Sequence, residues 1–292
     1  MVDGDLVTVL LAETADLRHG WAPADYASSI VADDRTNEGR KSPSPPHRTL
    51  TWPAGTLNRA GLESWEEWLM AVLVLLRHGE SAWNAANVFT GWIDVGLSEH
   101  GERQAHRAGA HLAAGGFFPD VVHTSVQRRA IRTANLALAG CGRSWVPVRR
   151  SWRLNSNHYG ALQGRSKSEV RAEVGQEQFM LWRRGFGVRP PPGEPDDDPR
   201  YADLAPDARP RGESLHDVLA RLLPYWHDTV VPDLFRHGCV LVVSHGNTLR
   251  ALVKHLEAVS DEAASGLEVP NAAPLCYHFQ AGHLTRLADV AR

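Results

Sequence analysis

Val72-Leu73-Val74-Leu75-Leu76-Arg77-His78-Gly79-Glu80 is the stretch on which the fold turns. Its first five residues are apolar without a break, the pattern of a strand buried on both faces, as strands of a parallel sheet are. The run then delivers a cation, an imidazole and a glycine where the chain leaves the strand. A second run is built alike: Cys239–Val243 leads into Ser244-His245-Gly246-Asn247. In open α/β sheets ligands sit beyond the carboxyl ends of the strands, so the two endings predict one pocket holding His78 and His245. Imidazole is a phosphoryl nucleophile and guanidinium matches phosphate oxygens bidentately. With Arg77 beside His78, the pocket reads as one for a phosphoryl group.

Strand and helix signals alternate on either side of these runs. Helical spacing is read over Glu99–Gly115, Val126–Ala139, Ser166–Arg184 and Asn247–Leu256, and short β-rich segments over Asp120–His123 and Val146–Arg149. A Pro/Asp-rich loop follows from Gly185 to Gly212, then an amphipathic helix from Ser214 to Phe235 with Pro224 in its middle. The alternation predicts an α/β fold, a mostly parallel central sheet with helices on both faces. His100, His106 and His111 fall at helix-surface spacing and are expected to face solvent. Arg-His-Gly itself is a weak signal, because it also occurs at Arg18-His19-Gly20 and Arg236-His237-Gly238. Of the three copies, the middle one leaves a buried strand; the last reads as an ordinary helix end.

The chain has 292 residues, 43% hydrophobic and 22% charged, the composition of an ordinary globular protein. Its 31 basic and 34 acidic residues give a net charge of −3, which argues against a general electrostatic grip on nucleic acid or an anionic membrane. Cys141, Cys239 and Cys276 are too few and too scattered for a disulfide framework or zinc cluster. No H-E-x-x-H set indicates a metal, and no GxGxxG follows either strand. Residues 1–69 hold 11 acidic and 6 basic residues and a Pro/Ser-rich stretch from Asn37 to Pro53. They read as a poorly structured N-terminal extension in which only Leu6–Ala12 resembles an element, with the folded domain at 70–292. Asp3 and Asp5 stand where an export signal needs basic residues, and no apolar run is long enough to span a membrane, so a cytoplasmic location is expected.

The run LLRHGESAWNAANVFTGWIDVGLSEHGERQA (Leu75–Ala105) resembles the opening of the cofactor-dependent phosphoglycerate mutases, within the histidine phosphatase superfamily. TSVQRRAIRTA (Thr124–Ala134), HYGALQG (His158–Gly164), WRRGF (Trp182–Phe186), GESL (Gly212–Leu215) and VVSHGNTLRALVKHL (Val242–Leu256) follow in family order. The matches cover nearly all of 70–292 and none of 1–69. The resemblance implies that His78 is the nucleophile that becomes phosphohistidine, with Arg77, Arg129 and His245 around the transferring group. It implies hydrogen bonds from Ser81, Asn84, Thr90 and Gly91, and a close approach to phosphate at Gly246, followed by Asn247. Tyr159, Lys167, Arg183 and Arg184 would hold the substrate's carboxylate and second phosphate. The implied activity is interconversion of 2- and 3-phosphoglycerate in glycolysis and gluconeogenesis, primed by 2,3-bisphosphoglycerate without a metal. Many similar proteins are dimers or tetramers, which leaves a homo-oligomer open.

One segment departs from the pattern. Where the family carries L-N-E-R-H-Y-G, this chain reads Leu154-Asn155-Ser156-Asn157-His158-Tyr159-Gly160, so Ser156 replaces the glutamate that exchanges the proton with the leaving oxygen. Other branches place a carboxylate after the second histidine, where this chain has Gly246. Glu80 is the carboxylate nearest by sequence. Two further readings therefore stand beside the mutase: a histidine-type phosphomonoesterase and a non-catalytic phosphometabolite-binding homologue.

Overall fold

The structure is a computed structural model and describes residues 70–194 and 198–287. The extension 1–69, with Leu6–Ala12, lies outside the described residues.

β1 (Ala71–Arg77) is the apolar run and sits inside a six-stranded sheet of order β3-β2-β4-β1-β5-β6. β2 (Val121–Thr124), β3 (Val148–Arg150) and β4 (Cys239–Ser244) run parallel with it, through the pairs β3·β2, β2·β4 and β4·β1. The register explains why the strands carry no polar alternation. Leu73, Leu75, Val240 and Val242 face one core, while Val74, Leu76, Leu241 and Val243 face the other. Successive side chains point to opposite faces, so a strand covered on both sides must be apolar throughout.

Helices supply the two covers. On one face lie α2 (Glu99–Ala114) and α3 (Arg128–Gly140), which contribute Ala108, Leu112, Ala130, Ala134 and Ala137. On the other lie α5 (Leu215–Tyr225), α6 (Val231–Arg236) and α7 (Gly246–Leu256), contributing Leu222, Leu234, Leu249 and Leu252. Between α3 and α5 comes α4 (Lys167–Arg184), and a one-turn α1 (Ala82–Ala85) follows β1. A short α8 (Asp261–Ala264) precedes the last two strands. His100, His106 and His111 are exposed, as their spacing on α2 predicts. Cys141, Cys239 and Cys276 are buried and free, and among the described residues no helix is long and apolar enough to cross a membrane.

Two local expectations are corrected, and two strands are added. The helix expected over Ser166–Arg184 is broken at Gly175, whose φ of 81° and ψ of 165° no helix accommodates. The helix expected over Ser214–Phe235 is α5, a π-helical stretch at Trp226–Val230, and α6. Pro224 offers no N–H, and the wider turns follow directly after it. β5 (Pro274–Gln280) and β6 (His283–Arg286), which no sequence signal marked, add an antiparallel edge beside β1.

Candidate active site

Arg77 and Ser244 are register partners at the ends of β1 and β4, so His78 and His245 leave neighbouring strands at one edge. Their ring centroids are 5.0 Å apart. The Nδ1 of His78 lies 2.6 Å from the Gly79 carbonyl oxygen. A carbonyl only accepts, so Nδ1 carries the proton and Nε2 keeps its lone pair. Burial, reinforced by Arg129 and Arg77, pushes the His78 pKa well below its ordinary value. The imidazole is therefore neutral near pH 7, the form a nucleophile requires. Burial, with Arg129 and His78, does the same to His245.

Two guanidinium groups flank the pair. Arg129, almost fully buried on α3, donates to the carbonyls of Gly91 at 2.8 Å and Ile93 at 3.0 Å, and to Oε1 of Gln127 at 3.0 Å. Burial lowers its pKa to about 10, which leaves it charged at neutral pH. Arg77 donates through Nη1 to the Val269 carbonyl at 2.9 Å. A Cβ at Gly246 would stand 3.3 Å from that guanidinium, so the missing side chain lets the start of α7 approach it. Arg77 Nε, Thr90 Oγ1 and His245 Nδ1 are buried and make no hydrogen bond to the protein. All three belong to residues lining one cleft. Each buried polar atom left unpaired costs about 1–3 kcal/mol, a cost that the oxygens of a bound anion would offset.

The far wall of the cleft is cationic as well. Lys167 and the pair Arg183-Arg184, from opposite ends of α4, line it together with Tyr159. Burial, then Arg183 and Arg77, bring the Lys167 ammonium down to about 8. Arg184 is paired with Glu268 at 2.7 Å. Asn247 donates through Nδ2 to Asn157 Oδ1 at 2.8 Å and to the Tyr159 hydroxyl at 3.2 Å. Arg250, not singled out from the sequence, also lines the cleft; it donates to Asn247 Oδ1 and to the Leu267 carbonyl at 2.9 Å. The signal was present, since Arg250 follows Asn247 by three residues on one helix and shares its face.

Asn84, Thr90, Gly91, Gly246 and Asn247 join this lining, and Ser81 does not. The Ser81 hydroxyl instead caps α1 by accepting the Asn84 N–H at 3.1 Å, while Asn84 Oδ1 accepts the Ser81 N–H. Glu80 also stays outside the lining: Ser98 donates its hydroxyl to the Glu80 carboxylate at 2.7 Å. Ser156 and Asn157 do line the cleft. The Ser156 backbone is held from three sides, its N–H on Gln127 Oε1 at 3.0 Å and its carbonyl accepting from Trp92 Nε1 and Arg221. Arg221 is in turn paired in the interior with Glu213 at 2.6 Å. Gln127 thus ties Arg129, Gly91 and Ser156 together, a role its position beside two arginines did not announce. Among the described residues that line the cleft there are six cations and no carboxylate.

A neutral imidazole with a free lone pair, a second imidazole, one buried and one partly buried guanidinium group and a cationic far wall suit transfer of a phosphoryl group within a small polyanion. The chain matches the family model of the histidine phosphatase superfamily, branch 1, over residues 73–201 and 196–289. It is 59% identical over 215 residues to a 2,3-bisphosphoglycerate-dependent phosphoglycerate mutase of Streptomyces griseus, a match covering 72% of this chain and 85% of that one. A protein of the same name from Thermobifida fusca is 56% identical over 214 residues, covering 71% and 87%. Among solved structures, a mycobacterial glucosyl-3-phosphoglycerate phosphatase superposes with a TM-score of 0.60 at 26% identity, over 76% of this chain and all of that one. Sheet, strand-end histidines and sequence match agree: the chain belongs to branch 1 of the histidine phosphatase superfamily.

Proposed function

We propose that this protein is a 2,3-bisphosphoglycerate-dependent phosphoglycerate mutase, interconverting 2- and 3-phosphoglycerate through a phosphohistidine at His78. One observation carries the reading: the His78 ring donates Nδ1–H to Gly79 and leaves Nε2 unprotonated, in a cleft it shares with Arg77, Arg129 and His245. In that reading Nε2 attacks phosphorus, the bond to the sugar-acid oxygen breaks, and the electron pair leaves with that oxygen. Arg77, Arg129 and His245 meet the charge that spreads over the equatorial oxygens in the loose transition state. Tyr159, Lys167, Arg183 and Arg184 hold the carboxylate and the second phosphate, with Arg250 and Asn247 beside them. The same residues fit 2,3-bisphosphoglycerate, because the six cations and three unpaired buried polar atoms suit a compact molecule bearing two phosphates. When bound, it supplies the phosphoryl group that charges His78.

The test is covalent. Labelled 2,3-bisphosphoglycerate should leave an acid-labile, base-stable phosphoryl group on the protein, and His78→Ala should abolish it. Label that survives in the variant, or that maps to His245, defeats the nucleophile assignment. An enolase-coupled assay separates the readings: a mutase needs the primer, a phosphatase releases inorganic phosphate, and a binder does neither. We also place the whole activity in residues 70–292, so a chain that starts at Met70 should keep kcat and KM within about twofold. A tenfold loss would assign 1–69 a part in the site.

A further inference from the structure

Ser125 follows β2 directly and is completely buried. Thr124 is the register partner of Val243, so Ser125 emerges beside His245 where neighbouring parallel strands end. Its Oγ lies 2.9 Å from Nε2 of His245 and accepts the Gln127 N–H at 3.3 Å. A hydroxyl and an imidazole nitrogen can bond in either sense, but the surroundings decide here. If Nε2 carried the hydrogen, the fully buried serine hydroxyl would find no other acceptor among the described residues, and the Nδ1 lone pair would meet the oxygens of an anion. If the serine donates instead, the single ring proton resides on Nδ1. That nitrogen is buried, bonds no protein group, and belongs to a residue lining the cleft.

We infer that Ser125 is a positioning residue: its hydroxyl fixes His245 as the Nδ1–H tautomer, a neutral hydrogen-bond donor to the phosphoryl oxygens. The inference rests on the phosphoryl-transfer reading of the cleft. It also divides labour between two like side chains. His78 is held at Nδ1 by a carbonyl and presents a lone pair at Nε2; His245 is held at Nε2 by a hydroxyl and presents a proton at Nδ1. A nitrogen bearing a hydrogen does not attack phosphorus, so Ser125 confines the covalent chemistry to His78.

The full chain labelled with ¹⁵N-histidine reads the tautomer directly by NMR, without any variant. The expected signals for His245 are a protonated Nδ1 and an unprotonated Nε2; the reverse pattern overturns the inference. In Ser125→Ala the Nε2–H form should become populated, kcat should fall by about 10- to 100-fold, as loss of an orienting partner typically costs, and KM should stay within about threefold. Ser125→Thr, which keeps the hydroxyl, should restore both tautomer and kcat. Wild-type kcat in the alanine variant, or a threonine variant no better than alanine, refutes the role. A wild-type chain with the expected tautomer but no phosphoryl transfer would strike down the functional reading instead.

Discussion

Ser156 stands where the family resemblance implies a proton-exchanging glutamate, and its backbone is pinned by Gln127, Trp92 and Arg221. Position without acidity has a kinetic consequence. The alkoxide leaving a phosphomonoester needs a proton, and a serine hydroxyl has no pKa near 7 with which to supply it. Ser156→Glu together with Asn157→Arg should raise kcat by at least about tenfold, short of the ~10²–10⁴ that a tuned general acid contributes, and leave KM nearly unchanged. Steady-state kinetics of the purified double variant decide the matter: no gain with retained binding means the pocket has drifted beyond one residue. The chemistry-bearing residues at strand ends were legible because an apolar run closing in Arg-His-Gly is readable in one dimension. Ser81 shows the limit of that reading, because a serine that caps a helix and a serine that binds phosphate look alike in sequence, and this one caps α1 outside the cleft lining. Gln127 and Ser125 were missed because their contacts exist only once strands and helices bring distant carbonyls and rings beside them, whereas Arg250 was readable from its helical spacing to Asn247.

Among the elements, α4 shows most plainly why a sequence pattern falls short of a structure. Lys167 and Arg183 are sixteen residues apart, and a straight helix rising 1.5 Å per residue would separate them by ~24 Å. Both nonetheless line the same cleft, because the chain turns at Gly175. Its φ of 81° with ψ of 165° is a conformation essentially reserved for glycine, whereas one glycine inside a helical pattern reads as merely tolerated. A Cβ there would meet nothing within 4 Å, so any effect of Gly175→Ala is a backbone effect. The variant should lose about 1–3 kcal/mol in urea unfolding and show a raised KM for phosphoglycerate, since the two arms carry the cleft cations proposed to bind it, with kcat little changed. Unchanged KM and stability would mean that the turn does not set the spacing of Lys167 and Arg183. β5 escaped the sequence because the exposed His278 and Gln280 interrupt its apolar run, although Leu275, Tyr277 and Phe279 pack into the core.

Over the whole molecule, charge is distributed against its own average. The chain carries a net −3, yet the cleft gathers Arg77, Arg129, Lys167, Arg183, Arg184 and Arg250 with no carboxylate among its described lining. A cleft lined by one sign of charge between low-dielectric walls focuses the field and raises the encounter rate of an oppositely charged ligand, by ~10–10³ in strong cases. The balanced composition therefore excludes a general affinity for polyanions and says nothing against a local one. Phosphoglycerate is an anion, so kcat/KM should fall several-fold as added KCl shortens the screening length from about 30 Å at 0.01 M to about 8 Å at 0.15 M. Two substitutions locate the source of that dependence. Arg183→Gln removes a cleft cation and should flatten the slope of log kcat/KM against ionic strength. Arg103→Gln removes an equal charge from the exposed face of α2, where its side chain is 61% accessible, and should leave the slope as it was. Equal slopes in the two variants would show that the net charge, rather than the cleft, governs the approach of substrate, and a wild-type rate indifferent to salt would remove steering from the account altogether.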